Sequence, residues 1–245
     1  MKTIKSGALL ALVFLLASCG QQLVEFPPGA GGGGGACGLT PVALAGAGNF
    51  AVLAGSGVTS TGATTVTGDL GLSPGTAVNG FPPGTVTGTQ HVTDSTAAQA
   101  KLDLTTAYND AAGRSLCRIT VTPTNLGGRT LAPGLYWSGT SLAITSGTLT
   151  LDAGGDSNAV FIFQSSSTLT TTSGLGIVLA GGAKASNIFW QVGSSATIGT
   201  GTAFFGTIMA DQAVTLNTGA TLDGRALARI ASVTLDANVI VKPAP

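Results

Sequence analysis

The sequence predicts an all-β domain with one long helix, built as a three-faced β-solenoid. From Val42 onward, short apolar strands alternate with turns of Gly, Ser, Asn and Asp, which is typical of all-β proteins. The C-terminal half also repeats loosely, and each repeat holds an aromatic or aliphatic strand, a Thr-rich strand and a third short strand. Three strands per coil make a prism with three faces, and stacked coils supply one another's core.

The N-terminal residues predict export. Lys2 and Lys5 precede an apolar run at residues 8–16, which suits a secretory signal and is too short to span a bilayer. The run ends in LASCG at residues 16–20, which resembles the lipobox of bacterial lipoproteins and implies cleavage before Cys19 and lipidation of its thiol. An ordinary secretory signal with an incidental cysteine is the alternative.

Residues 19–39 are predicted to form a tether, because prolines and five consecutive glycines have no core to bury. We therefore expect a signal peptide at residues 1–18, a lipidated Cys and tether at residues 19–39, and the solenoid at residues 40–245. The expected location is the bacterial cell envelope or surface, the outer membrane if the cell is Gram-negative, or the medium after release.

Two cysteines remain once Cys19 carries lipid. Two thiols in an exported chain suggest a disulfide bond, here between Cys37 and Cys117. Two buried free thiols are the alternative.

One segment interrupts the β-pattern. Residues 95–112 are rich in Ala, Leu and Lys, which favour a helix; N-cap candidates stand at residues 94–96, and Gly113 is a natural terminator. We expect this helix to lie along one face of the prism through Leu102, Leu104, Tyr108 and neighbouring alanines.

The charged residues exclude several classes of function. They make up only 8% of the chain, the formal net charge is zero and no Lys/Arg cluster exists, so nucleic-acid binding is not expected. The one histidine, His91, precedes the helix, and the one glutamate, Glu25, lies in the tether. The aspartates fall at turns without metal-ligand spacing or acid/base pairing. We expect no catalysis, no metal, no cofactor and a monomer.

The Thr-rich strands are the informative feature, since alternation along each strand assigns side-chain directions. The inward residues are Ala196, Ile198, Val214, Leu216, Val233 and Leu235. The outward residues are Ala143, Thr170, Thr197, Thr215 and Thr234. Stacked outward threonines form a regular array of stiff, uncharged side chains, which can organise water into a lattice-like layer. The plainer interpretation is that Thr is simply a good exposed strand residue.

We expect this Thr face to be the only open, flat one. The helix should cover a second face. The remaining face should carry Arg225 and the Phe/Trp strand, whose bulk and charge would spoil planarity.

Several segments are similar to microbial ice-binding proteins of the discontinuous β-solenoid type. They include NFAVLAGS at residues 49–56, GDLGLSPG at 68–75, GFPPG at 80–84, LAPGLY at 131–136, AVFIFQ at 159–164, NIFWQV at 187–192 and LNTGATLDGRALA at 216–228. The resemblance covers about residues 40–241, with the motifs in order. It implies a three-faced prism with a helix alongside, in which the first coil packs out of chain order near the last. It also implies that one flat face and its edge bind ice.

In that family the edge often carries a Thr-Ala/Gly-any-Thr/Asn motif. Strict matches fall at residues 61–64, 76–79 and 218–221, whereas residues 172–175, 200–203 and 236–239 depart from it. The candidate ice-contacting residues are therefore Thr61, Thr64, Ala143, Thr145, Thr170, Thr172, Thr197, Thr200, Thr215, Asn217, Thr218, Thr221 and Thr234.

The leading hypothesis is a protein that binds ice and its ordered water, inhibiting ice growth or recrystallisation or anchoring the cell to ice. Membrane contact is expected only through the N-terminal lipid. The alternative is a non-catalytic surface adhesin or carbohydrate-binding domain of the same fold. Exposed aromatic rings would favour the alternative, because rings stack on sugar faces.

Overall fold

A computed structural model describes residues 38–244, which hold one α-helix and 22 strands. The helix α1 spans Ser95–Gly113. The strands before it are β1 (Phe50–Ala54), β2 (Gly57–Thr61), β3 (Thr65–Thr67), β4 (Asp69–Leu72), β5 (Ala77–Asn79), β6 (Thr85–Val86) and β7 (Gln90–Val92). The strands after it are β8 (Ile119–Thr120), β9 (Thr130–Leu131), β10 (Gly134–Ser138), β11 (Leu142–Ile144), β12 (Leu149–Asp152), β13 (Phe161–Ser165), β14 (Leu169–Thr171), β15 (Ile177–Ala180), β16 (Ile188–Val192), β17 (Ala196–Ile198), β18 (Ala203–Ala210), β19 (Val214–Leu216), β20 (Thr221–Ala228), β21 (Val233–Asp236) and β22 (Val239–Val241).

The strands pair in parallel and form three faces. Face A contains β8, β10, β13, β16, the second halves of β18 and β20, β1, β4 and β7. Face B is a seven-stranded sheet in the order β11-β14-β17-β19-β21-β2-β5. Face C contains β6, β3, β22 and the first halves of β20 and β18, followed by a separate sheet of β15, β12 and β9. The prediction of a three-faced β-solenoid with one helix is confirmed.

The coils do not stack in chain order. The first coil pairs with the last, because β1 lies against β20, β2 against β21 and β3 against β22. This is the discontinuity that the family resemblance implies. It brings residues near position 60 beside residues near position 235, and thereby lengthens both open sheets.

The core lies inside the prism and is almost wholly apolar. Tyr136, Phe163 and Trp190 stack on successive coils, with ring centroids 5.2 and 3.9 Å apart. All three side chains are buried. Such stacking of large rings stabilises the coil-to-coil contact beyond the burial of their area.

Helix α1 packs on face A. Its N-cap is Asp94, whose carboxylate accepts a hydrogen bond of 2.8 Å from the backbone N–H of Ala97. At the other end, the side-chain amide of Gln164 donates to the carbonyls of Ala111 (2.6 Å) and Arg114 (2.7 Å), which satisfies groups that a helix end leaves free. The predicted boundaries are therefore correct to within one residue.

The predicted contact face of α1 is only partly right. Tyr108 and the alanines at positions 100, 107 and 111 are buried, together with Leu104. Leu102 is 64% exposed, so its predicted packing role is wrong. Leu102 and Leu104 lie two residues apart, and two residues of a helix do not share one face.

The expected division of the three faces is also wrong. The helix lies over the Phe/Trp strands themselves, where it covers Phe189, Met209 and Leu227. Arg225 is buried on the same face and donates from Nε to the carbonyl of Gly48 at 3.0 Å. Face A thus carries both the covering helix and the Phe/Trp strands with Arg225, which the sequence assigned to separate faces. Face C is consequently open as well as face B.

Within residues 38–244, no helix is long and apolar enough to cross a membrane.

Candidate functional site

Face B presents one straight column of outward side chains, one from each coil. The strand register places consecutive members directly beside each other. In spatial order the column is Asn125, Ala143, Thr170, Thr197, Thr215, Thr234, Thr59 and Asn79. Five consecutive members are threonine, and neighbouring strands lie about 4.8 Å apart, so the column repeats its hydroxyl and methyl groups at that interval.

The orientation of the predicted strands is as expected. Val214 and Leu216 are buried, whereas Thr215 between them is half-exposed. The same alternation holds in β17 and β21. Within the described residues, the hydroxyls of the five column threonines form no hydrogen bond with protein groups, so they are available to order water.

Three members of the column, Asn125, Thr59 and Asn79, were not among the predicted contact residues. Thr59 and Asn79 belong to β2 and β5, which the chain forms long before the other strands of face B. The local signal existed, because Thr59 lies between an inward Val58 and an inward Ser60. Their place in the column depended on a pairing between remote segments, which local periodicity does not reveal.

A second column runs along the turn at the edge between faces B and C. It contains Thr200, Thr218, Asp236 and Thr61. The residues that follow them are Gly201, Gly219, Ala237 and Gly62, all with positive φ between 48° and 67°. The N–H of each of the first three donates to the carbonyl of the column residue on the next coil, at 2.8 to 3.0 Å. The repeated left-handed residue turns each coil at the same height, which keeps the edge straight.

Asp236 is the one charged side chain in this edge column. Its carboxylate accepts hydrogen bonds from the hydroxyl of Thr61 (2.9 Å) and from that of Thr218. These bonds, first that of Thr218, lower the pKa of Asp236 below its usual 3.8. Asp236 therefore stays ionised at neutral pH and introduces a charge in the middle of the edge, since β2 and β5 lie beyond it.

Most of the predicted edge residues are exposed as expected. Thr145 and Thr172 lie at the turns after β11 and β14, and both are exposed. Asn217 is half-buried, and its carbonyl accepts a bond of 2.9 Å from the side chain of Asn238. Thr221 is exposed, but it begins β20 and points out of face C, where it lies beside Val239.

Thr64 does not lie on the exposed edge, and its prediction as a contact residue is wrong. It is 1% exposed, accepts a bond of 2.7 Å from the hydroxyl of Ser60 and accepts another from the N–H of Asn238. The turn after Thr61 is one residue longer than the turn on the neighbouring coil, since Thr61 pairs with Asp236 whereas Thr65, and not Thr64, pairs with Val239, so the fourth residue of this motif enters the interior. Its hydroxyl there satisfies buried polar groups.

No group of three or more His, Cys, Asp or Glu side chains in residues 38–244 could hold a metal ion. Several rings of the face A strands are closed to partners, because Phe163, Phe189 and Trp190 are buried. Trp137 is half-buried, and the guanidinium of Arg118 lies 4.2 Å from its ring centroid. The sugar-binding alternative therefore lacks most of the exposed rings that would have favoured it.

Cys117 is disulfide-bonded, whereas Cys19 and Cys37 lie outside the described residues. The structure thus leaves the lipidation of Cys19 and the pairing of Cys37 as predictions.

Comparisons with known proteins agree with this geometry. Residues 52–241 match the ice-binding-like protein family. An ice-binding protein from Nostoc sp. (strain HG1) is 50% identical over 195 residues, which cover 79% of this chain and 71% of the relative. An ice-binding protein from Colwellia sp. is 38% identical, with coverage of 85% and 86%.

Solved structures share the fold. The crystal structure of an ice-binding protein from an Antarctic biological consortium superposes with a TM-score of 0.81 at 58% identity, and the match covers 83% of this chain and 91% of that one. The ice-binding protein of the Antarctic ascomycete Antarctomyces psychrotrophicus gives a TM-score of 0.80 at 39% identity, with coverage of 84% and 100%. The chain belongs to the ice-binding-like family.

Proposed function

We propose that the protein binds ice through face B and its edge column. The observation that carries this proposal is the unbroken column of five threonines, from Thr170 to Thr59, whose hydroxyls have no protein partner among the described residues. Thr is β-branched and stiff at χ1, so the array loses little side-chain entropy when it meets a crystal. A periodic, rigid and nearly uncharged surface suits a periodic and uncharged partner.

The physical effect of such binding is adsorption. A protein fixed to a crystal plane forces the ice between neighbouring molecules to grow as a curved front, which lowers the temperature at which growth proceeds. The same adsorption slows recrystallisation or holds a cell to ice, and which outcome applies depends on what the protein is attached to.

For attachment, the proposal is a lipid on Cys19 followed by the tether at residues 19–39. The support is the lipobox-like LASCG at residues 16–20 and the glycine run that follows it. A lipid-anchored form at the cell envelope would present the solenoid to ice outside the cell. Membrane fractionation of cells that express wild-type protein or Cys19→Ser tests this, and equal membrane retention of the two would contradict it.

Thermal hysteresis tests the ice-binding face. We expect Thr197→Tyr and Thr59→Tyr each to remove most of the hysteresis, because one protruding ring lifts the whole flat array from the crystal. The control is Asn109→Tyr, which places the same ring on the exposed side of α1 and should leave hysteresis unchanged. Lys101 would be a poor control, because its ammonium anchors the helix to the carbonyl of Arg229 at 2.5 Å. Full hysteresis in both Thr variants would exclude face B.

A further inference from the structure

The stack of coils ends at residues 114–131, which follow helix α1. Within residues 38–244, β8 is the last strand of face A, Asn125 ends the outward column of face B, and β9 is the last strand of its three-stranded sheet. None of the described coils covers this end. We name residues 114–131 the arginine end, because they include Arg114, Arg118 and Arg129.

The arginine end leaves large apolar side chains in solvent. Ile119 pairs in register with the buried Tyr136 and so occupies a core position of its coil. It is nevertheless 42% exposed, because no described coil lies beyond it, and Leu116 is 72% exposed. Such exposure costs free energy in water, and the terminal repeat of a solenoid usually has a polar outer face. The end therefore suits a partner that has an apolar region.

The same end is also positively charged. Residues 111–151 contain the three arginines and no acidic residue. Asp110, on α1, lies 2.7 Å from the guanidinium of Arg114 and neutralises it. Arg118 and Arg129 form no ion pair with any residue of the described range 38–244. Two positive charges are therefore available to an anionic partner.

The opposite end of the stack lacks both features. It is formed by β5, β6 and β7, and residues 38–100 contain Asp69 and Asp94 but no Lys or Arg. The large apolar side chains of residues 77–92 are all half-buried: Val78, Phe81, Val86 and Val92. The two ends of the solenoid thus differ in the sign of their charge and in their apolar exposure.

The chain enters the described domain beside the arginine end. Arg114 donates from its guanidinium to the carbonyl of Pro41 at 3.3 Å and to that of Thr40. Gly38, the first described residue, is two positions from this contact. A lipid on Cys19 would therefore be joined to the domain at the arginine end, and not at the end formed by β5, β6 and β7.

We infer that the arginine end docks on an anionic lipid surface. Leu116 and Ile119 enter the headgroup region, and Arg118 and Arg129 bind lipid phosphates. The inference rests on the proposed attachment of the protein to a membrane. A lipid surface presents apolar and anionic groups in one plane, and a tether keeps the domain at high effective concentration beside it. Each arginine near an anionic surface strengthens binding roughly fivefold.

Docking at this end leaves face B free. The outward column of face B runs along the stack, from Asn125 at the arginine end to Asn79 at the opposite end. When the arginine end lies on the membrane, this column stands upright and its far end points away from the lipid. Docking and ice binding then use different residues, so the two can be measured separately.

Trp137 provides a direct probe of docking. Its half-buried ring lies under the guanidinium of Arg118, whereas Trp190, the only other tryptophan, is 1% exposed in the core. The protein is used as the predicted cleavage before Cys19 leaves it, with Cys19→Ser and an N-terminal hexahistidine tag that binds nickel-chelating lipid in vesicles. A spin label on the lipid headgroup quenches tryptophan emission only at short range.

Vesicles that contain phosphatidylglycerol should quench Trp137, whereas vesicles of phosphatidylcholine should not. Trp137→Phe should abolish the quenching, which would exclude Trp190 as its source. High salt should weaken docking, because it screens the charges. Each protein is compared on vesicles with and without the spin label, so that a change in its own emission does not enter the result.

Paired variants test the charges. Arg118→Gln together with Arg129→Gln should lower the ratio of docked to undocked protein about 25-fold. The matched control is Lys184→Gln together with Lys242→Gln, which removes the same charge elsewhere and should leave the ratio nearly unchanged. Thermal unfolding of each variant establishes that it is folded.

A second pair tests the apolar contact without a change of charge. Leu116→Ser should weaken docking, because it removes the most exposed apolar side chain of the arginine end. Leu102→Ser is the matched control, since Leu102 is 64% exposed on α1, away from this end, and it should dock like wild type.

Several results would overturn the inference. Equal quenching by the two kinds of vesicle, or an equal loss in the arginine and lysine variants, would mean that the arginine end does not recognise anionic lipid. If sedimentation shows a wild-type dimer that Leu116→Ser dissociates, the end binds a second copy. If docking requires deletion of residues 20–36, the N-terminal segment occupies the end instead.

Failure of this inference is distinct from failure of the proposed function. The tag replaces the lipid, so the vesicle result does not depend on whether Cys19 is lipidated in cells. In solution, the double variant of Arg118 and Arg129 should retain full thermal hysteresis. Loss of docking with hysteresis intact would exclude the lipid contact and leave face B as the ice-binding surface.

Discussion

The hydroxyl of Thr61 donates a hydrogen bond of 2.9 Å to the carboxylate of Asp236, which lies 175 positions later in the sequence. The bond exists because β2 pairs with β21 in register, so the two residues occupy the same position on adjacent coils. Thr218 binds the other carboxylate oxygen from the opposite side. One charged residue is thus built into an otherwise neutral edge column.

Replacing Asp236 with Thr should strengthen ice binding. A carboxylate retains its own hydration, which does not fit a lattice, whereas Thr would continue the column from Thr218 to Thr61. The lost hydrogen bonds are exposed, so the free energy of unfolding should change by about 1 kcal/mol or less. Hysteresis should rise, and by the same factor at pH 5 and pH 8, because the lowered pKa keeps Asp236 charged at both. Asp110→Asn on α1 controls for net charge, and an equal gain there would contradict the role of the edge.

Leu216 and Thr215 provide a direct separation of stability from binding. Leu216 is 1% exposed, so Leu216→Ala should leave a cavity and lower the free energy of unfolding by about 2 to 5 kcal/mol. Thr215→Tyr adds a ring outside the core, and the melting temperature should hardly change while hysteresis is lost. Thermal unfolding and hysteresis are measured on both variants at one concentration. Similar behaviour of the two would mean that β19 is shifted by one residue.

The local features of this fold were predictable, because they depend on residues close together in sequence. The alternation around Thr215 assigns its direction within one strand, and the composition of residues 95–112 is enough for a helix. The position of that helix was not predictable, although the expected contacts of Leu104, Tyr108 and the alanines are found. Short side chains let the helix approach the sheet closely, but composition does not say which sheet.

The site was predictable in its centre and not at its ends. Thr170, Thr197, Thr215 and Thr234 come from successive coils in chain order. Thr59 joins them only through the out-of-order pairing of β2 with β21. Parallel pairing between remote segments depends on contacts along the whole stack. Neither this pairing nor the loop-closure entropy that it costs can be recognised in the local sequence.

A disulfide bond between Cys37 and Cys117 remains a prediction with new support. Cys117 is disulfide-bonded, and Arg114 holds the chain near it by donating to the carbonyls of Thr40 and Pro41. Closing a loop of about 80 residues should stabilise the domain by roughly 4 kcal/mol on the chain-entropy model. In protein that carries Cys19→Ser, denaturation without a reductant should expose no reactive thiol. Adding Cys37→Ser should expose one, at Cys117; two reactive thiols before that change would contradict the bond.

Lys101 should make stability depend on pH above neutrality. Burial, followed by the charge of Arg229, lowers the pKa of Lys101 from its ordinary 10.5 to about 8. Below pH 8 the side chain is charged in both the folded and the unfolded protein, so burying the charge lowers the free energy of unfolding by its full amount. Between pH 8 and 10.5 the unfolded chain binds more protons than the folded one, so the free energy of unfolding rises with pH. Its hydrogen bonds to the carbonyls of Ala228 and Arg229 do not require the charge.

Urea unfolding at pH 7.5 and pH 9.5 measures this rise, which we expect to be about 1 kcal/mol after allowance for partial solvent exposure. This pH range stays below the titration of Tyr136. Burial raises the pKa of Tyr136 to about 12, so this group lowers the free energy of unfolding only above the ordinary tyrosine pKa of 10. Lys101→Met removes the titrating group and should abolish the rise, whatever its effect on stability at pH 7.5. Gln99→Met changes an exposed residue of the same helix and should retain it. If the free energy of unfolding of Lys101→Met rose as much between pH 7.5 and pH 9.5 as that of wild type, the buried ammonium would not be the source of the rise.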